Sequence, residues 1–368
     1  MKILDRYVGK NIIVTSIFGV VVLSLVLILG KIFKEVLDLL INHDVPLKYV
    51  LAFFVYALPF SLTFTIPWGF LTAMLLIFGR MSADNELIAL KANGISIPRI
   101  CIPVFALSIV LTLFCFWVNI EVAPRAEQAI ESMVLKMVTS NPTAMFAADE
   151  VVDQLPDKRV YVGGKTGNLL KNIMLFELDQ RSNVKKVLYA NEGLLTADME
   201  NNQLLLELRN ARFEERDEND PQNVNKIRQG IVVSGGTFPI SLQSLYDQNT
   251  VNRRIISYTL TELRERLSKV DPVERLITEV EINKRFSASL ACFAFALIAI
   301  PMGITTHRKE TSVGFALSLA IAFTYFFFII LANTFCNKPE LHPSLLMWTP
   351  NILFIGLGSI MFWRLSRR

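Results

Sequence analysis

Tyr49 to Gly79, YVLAFFVYALPFSLTFTIPWGFLTAMLLIFG, contains no Lys, Arg, Asp or Glu. A helix crosses a hydrocarbon core of roughly 30 Å with about 20 mostly apolar residues, so this run spans a membrane with length to spare. Pro59 and Pro67 lie inside it, which predicts a tilted or kinked helix. Outward from it the pattern repeats. Asn11 to Gly30, Ile100 to Ile120, Phe286 to Thr306, Ser312 to Asn333 and Leu345 to Trp363 are equally free of charge. With 52% hydrophobic and 19% charged residues, and a mean hydropathy of +0.42, the chain is too apolar for an ordinary soluble enzyme. The fold class is a polytopic α-helical membrane protein with six transmembrane helices.

The first run follows Lys2, Arg6 and Lys10, as a signal peptide would, but it is too long for an h-region and no A-x-A-like site precedes Lys31. It reads as a retained span. Orientation follows from Lys and Arg in the short loops. With the N-terminus in the cytoplasm, the inside segments hold Lys2, Arg6, Lys10, Arg80, Lys91, Arg99, Arg308, Lys309, Arg364, Arg367 and Arg368. The outside loops hold Lys31, Lys34, Lys48 and Lys338. This bias puts both termini inside and Glu121 to Arg285 outside.

That outer segment alternates apolar and polar residues between turn signals: RVYVGG, NIMLFELDQ, KKVLYANEG, QLLLELRNARFEE and IVVSGGTFPISL. Several short strands of this kind predict an inserted antiparallel sandwich or partly open barrel. From Tyr258 to Arg285 the pattern becomes helical and charged. The expected organisation is three spans over 1–122, a β domain over 123–257, a helical connector over 258–285, and three spans over 286–368.

Catalytic signals are weak. Gly163-Gly164-Lys165-Thr166 resembles the end of a P-loop, but Arg159 stands where the first glycine is required, and no apolar helix follows to receive phosphate. A Gly-rich hairpin turn is expected there, and an energy source outside the chain. The outer segment has no histidine, and its run Glu214, Glu215, Asp217, Glu218, Asp220 reads as a solvated loop. Cys101, Cys115 and Cys292 fall in apolar runs and Cys336 just after one; with no metal-ligand or disulfide-framework spacing, they read as packing residues. The net charge of +4 does not form a basic stripe with interleaved aromatics, so nucleic acid is not expected as a partner. No metal, cofactor or catalytic residue is predicted.

Two features have a sharper reading beside a plain one. Lys31 and Lys34 stand one helical turn apart at the outer end of the first span. They either snorkel to headgroups or meet an anionic ligand at the outer leaflet. Ser82 to Ser96, SADNELIALKANGIS, is a polar helix between two spans. Ser82 or Asp84 is a candidate cap, Asp84 and Glu86 lie in the first turn, Lys91 in the last, and Asn93-Gly94 supplies a left-handed stop. Leu87, Leu90 and Lys91 share one side. The helix is too short to be stable alone in water, so it lies on the membrane surface or docks a soluble partner.

In order along the chain, LDRYVGK, ELIALKANGIS, VAPRA, YANEG, LELRNARFEE, EINKRFSASLACFAFALIAIPMG and WTPNILFIGLG resemble the LptF/LptG permease family of lipopolysaccharide export. The resemblance covers nearly the whole length. It implies a six-span subunit with a jellyroll-like periplasmic β domain in the inner membrane of a Gram-negative bacterium. The implied partners are a cytoplasmic LptB-like ATPase dimer, a paralogous or identical permease, LptC/LptA-like periplasmic bridge proteins, and lipopolysaccharide itself. It also makes the helix at about 82–94 a coupling helix, with Glu86 engaging the ATPase and Leu87, Leu90 and Lys91 as contacts, and gives Lys31 and Lys34 a head-group-binding role. The family often has a proline shortly after the Arg-Phe that opens the fourth span; this chain has FSASLA with Ser289, and the pattern before the fifth span is degraded to HRKETSVG. The rival class is a structural or sensory membrane protein whose β domain binds a periplasmic partner without transport. A secondary transporter is disfavoured, because no ionisable residue lies mid-membrane and no inverted repeat is visible.

Overall fold

A computed structural model describes residues 2–41, 47–140, 149–155, 158–167, 169–178, 184–198, 203–215, 228–232, 236–241, 255–305, 311–336 and 338–367. Six helices are long and apolar enough to cross a membrane, over Ile3–Gly30, Leu51–Ala83, Ile97–Met133, Glu274–Thr305, Val313–Thr334 and Pro343–Arg367. The helices are α1 (Lys2–Ile41), α2 (Leu47–Ala83), α3 (Glu86–Ala92), α4 (Ile97–Trp117), α5 (Ala123–Ser140), α6 (Leu260–Leu267), α7 (Pro272–Thr305), α8 (Thr311–Thr334), α9 (Pro343–Leu346) and α10 (Thr349–Arg367). Strands β1 to β7 fall between α5 and α6. The chain is thus a polytopic helical membrane protein with an inserted antiparallel β domain.

The chain divides into two compact units, one of Met1–Lys31, Phe54–Ala129 and Arg254–Arg368, the other of Ile32–Phe53 and Ile130–Arg253. In the first, α2 and α7 form the centre. In their apolar windows 72% of residues are buried, against 28–33% in the other four spans, which turn most of their surface outward. Small residues let these helices approach closely. A Cβ on Gly69 would lie 2.9 Å from the backbone nitrogen of Val20, and one on Gly358 would lie 2.7 Å from the carbonyl carbon of Leu297. Several polar side chains inside the bundle pair with one another, as an apolar medium favours. Ser24 and Thr65 share a 2.8 Å hydrogen bond, and Thr72 donates to Ser318 at 3.0 Å. The Tyr325 hydroxyl donates to the Ser287 carbonyl and the Asn351 amide oxygen, both at 3.1 Å.

The helix of the third span continues beyond Ile120. A π-helical turn over Val118–Val122 joins α4 to α5. In that turn Asn119 donates to Ser289 at 3.1 Å, and Ser289 donates to the Arg285 carbonyl at 2.7 Å. Ser289 lies within α7, which runs on through this position. The charged connector and fourth span are likewise one helix from Pro272, after the short α6, which opens with a Thr259–Glu262 capping box.

In the β domain, β1 (Glu150–Leu155), β2 (Lys158–Thr166), β3 (Leu169–Leu178), β4 (Val184–Asp198), β5 (Gln203–Glu215) and β6 (Arg228–Val232) pair antiparallel in chain order, while β7 (Gly236–Ser241) returns to β5. The segment IVVSGGTFPISL is therefore two strands, and EVVDQL adds one that alternation did not mark. Gly163 and Gly164 lie within β2, not in a turn: a Cβ on Gly163 would stand 2.9 Å from that of Asn172. The turn is at Gly167, with φ +61.

Gly163 belongs to a row that crosses the sheet. The registers place Gly163 opposite Asn172, Asn172 opposite Asn191, and Asn191 opposite Asn210, with Asp149 at the β1 end. Asp149, Asn172 and Asn210 have φ of 61, 52 and 53, the left-handed region that Asn and Asp tolerate best. At this row the apolar alternation slips. Leu170 and Ile173, Ala190 and Gly193, and Leu208 and Ala211 are buried around two exposed residues each. The partners of β5 change here too: β7 pairs up to Leu208 and β6 from Ala211.

Candidate functional site

The polar stretch between the second and third spans folds into α3, seven residues long, preceded by Asn85 in left-handed conformation with no side-chain cap. Ser82 is not a cap. It ends α2, and its hydroxyl donates to the Ile304 carbonyl at 2.8 Å, tying α2 to the end of α7. The stop is as predicted: Gly94 has φ +78, and the Ile95 amide reaches back to the Leu90 carbonyl at 3.1 Å. Leu87 is 4% exposed and joins the bundle core, and Leu90 packs against it. These two leucines seat a helix that has too few turns to stand alone. Lys91 is exposed and so is Ile88.

Glu86 is half-buried and faces the start of the first span. The Tyr7 hydroxyl donates to it, 3.3 Å from each carboxylate oxygen. Beside this bond, Arg99 at the start of α4 grips Asp5 with both nitrogens, Nη1 to Oδ1 at 2.9 Å and Nη2 to Oδ2 at 2.8 Å. Ile3, Leu4, Tyr7, Ile95 and Arg99 line a shallow cavity of about 390 Å³. The first turns of α1 are thus fastened to both sides of α3. Sequence reasoning does not reach these partners, which are 79 and 94 residues apart; their trace is the motif LDRYVGK alone.

Lys31 and Lys34 lie within α1, which runs on to Ile41. Their side chains are outside the described residues. The structure therefore brings Glu86, Leu87, Leu90 and Lys91 together on one short helix. Among the described residues no group of three or more His, Cys, Asp or Glu is placed to hold a metal ion. Cys115 and Cys292 meet as thiols, Sγ to Sγ 3.7 Å, between α4 and α7.

Residues 6–364 match the family model of the lipopolysaccharide export system permease LptF/LptG. The chain is similar to the lipopolysaccharide export system permease protein LptF of Escherichia coli (strain K12), with 20% identity over 98% of this chain and 94% of that protein. LptF of Shigella flexneri matches to the same extent. An uncharacterized protein of Rickettsia prowazekii (strain Madrid E) is 22% identical over 85% of each chain. Six spans, an inserted antiparallel domain and a match over almost the full length agree, and the chain belongs to the LptF/LptG family of lipopolysaccharide export permeases.

Proposed function

We propose that this chain is the permease subunit of an ATP-driven exporter that draws lipopolysaccharide from the outer leaflet of the inner membrane and passes it to a periplasmic bridge. The observation that carries the reading is α3: a helix too short to stand alone, seated on the bundle by Leu87 and Leu90, with Glu86 at its start bonded to the first span. A cytoplasmic ATPase dimer, LptB-like, is the partner that would push it. Glu86 and Lys91 are the polar contacts, and the two leucines pass the push into α2 and the core. A paralogous or identical permease pairs with it in the membrane. Lys31 and Lys34 hold anionic head groups at the outer end of the first span, and the β domain, at about residues 123–257, hands the lipid to LptC/LptA-like bridge proteins. The positive-charge bias supports cytoplasmic termini and a periplasmic β domain.

Glu86→Ala tests this. Loss of a charge-assisted contact costs about 1.5–3 kcal/mol, so ATPase recovered with the complex should fall about tenfold or more while the chain stays inserted. Unchanged recovery together with unchanged lipid export would remove the coupling role from Glu86.

A further inference from the structure

Inside α7, where the charged connector meets the apolar fourth span, a buried arginine makes contacts that the export reading above does not use. Arg285 is 4% exposed, and its guanidinium donates in four directions: Nε to Glu281 Oε1 at 3.1 Å, Nη1 to the Tyr258 carbonyl at 2.8 Å, and Nη2 to the Ile256 carbonyl at 2.9 Å and the Ile255 carbonyl at 3.4 Å. Those carbonyls belong to a single 3-10 turn, Ile255–Ser257, and the residue after it, where the chain returns from the β segment. The chain that enters the β segment is held at the same place: Gln128 of α5 donates to the Ser257 carbonyl at 2.7 Å. A buried charge is tolerated when paired and fully hydrogen-bonded, and only a planar fork meets a carboxylate and three carbonyls together.

We propose that Arg285 and Gln128 form a clasp that fastens both connections of the β domain to the fourth span, so that movement of the spans reaches the domain that hands over the lipid. Both are positioning residues. They act at the hand-over step and not at the ATPase contact. The proposal rests on the export reading and places a second, separable coupling point on α7, away from its Thr305 end.

The test uses the complete complex with its ATPase in proteoliposomes, and measures lipopolysaccharide transfer to a soluble bridge protein alongside ATP hydrolysis and ATPase recovery. Arg285→Gln is expected to lower transfer at least tenfold, with hydrolysis and recovery within about twofold of wild type. Arg285→Lys is expected to fail similarly, because an ammonium cannot reproduce the fork. Transfer at the wild-type level in Arg285→Gln overturns the clasp. If Arg285→Gln does not assemble, Gln128→Leu decides, and normal transfer there overturns it equally. A wild-type complex that recovers no ATPase and releases no lipid overturns the export reading itself.

Discussion

Arg99 and Asp5 show how little sequence distance matters to a fork-shaped contact. The ion pair is bidentate, yet its side chains are 25% and 34% exposed, so water screens it to a modest contribution. Arg99→Lys keeps the charge and loses the second bond. It is expected to lower the melting temperature of the detergent-solubilised chain by a degree or two, and to loosen the start of α1, read as faster amide exchange there. An unchanged exchange rate would mean that the pair fastens nothing. In the β domain, Tyr161 donates to Asp149 Oδ1 at 2.8 Å, and this bond, with the nearby negative charge, raises the phenol above its ordinary value of 10.0. A group whose folded value is raised contributes stability fully below its unfolded value and loses it as pH rises through the folded one. Wild type should therefore lose stability above about pH 10 more steeply than Tyr161→Phe. Parallel alkaline limbs in chemical denaturation would show the bond to be energetically idle.

Among the elements, the row Asp149, Gly163, Asn172, Asn191, Asn210 explains what alternation alone missed. On β3 and β5 a left-handed Asn interrupts the pleat, two neighbouring side chains turn outward, and burial resumes one residue out of phase. A period-two reading accordingly runs IVVSGGTFPISL as one strand, whereas β6 and β7 part where β5 carries Asn210. It also sets Gly163 in a turn, whereas the glycine is needed because Asn172 presses on it within the sheet. The long strands were legible because their halves alternate cleanly. The helix ends were less so: α3 begins at Glu86, not Ser82, since Ser82 belongs to the last turn of α2, where its hydroxyl donates to the Ile304 carbonyl. If the row is a built crease, Asn210→Gly should be neutral to slightly stabilising, and Asn210→Val should cost about 1–3 kcal/mol, because a β-branched residue pays most for positive φ. Equal stability of the two variants in equilibrium unfolding would mean that the left-handed conformation is incidental.

For the whole molecule, span count and family were written in uncharged runs and ordered motifs, because a hydrocarbon medium permits few solutions and repeats its demand at every crossing. Which helices lie at the centre was not. All six runs are apolar, and only packing separates α2 and α7, mostly buried, from four helices that face outward. The contacts of Glu86 and Arg285 were hidden for the same reason: each depends on segments that are distant in the sequence. Both proposed roles make orientation the decisive global property. Ile3 is 85% exposed at the start of α1, and Val151 is 50% exposed in β1. In a Cys336→Ser background the remaining native thiols are buried, so single cysteines at these two positions report the two sides cleanly. A membrane-impermeant maleimide should label Val151→Cys in cells whose outer membrane alone is permeabilised, and Ile3→Cys only after lysis. The reverse pattern would put α3 in the periplasm, where no ATP is available to drive a coupling helix, and would end the exporter reading whatever the family.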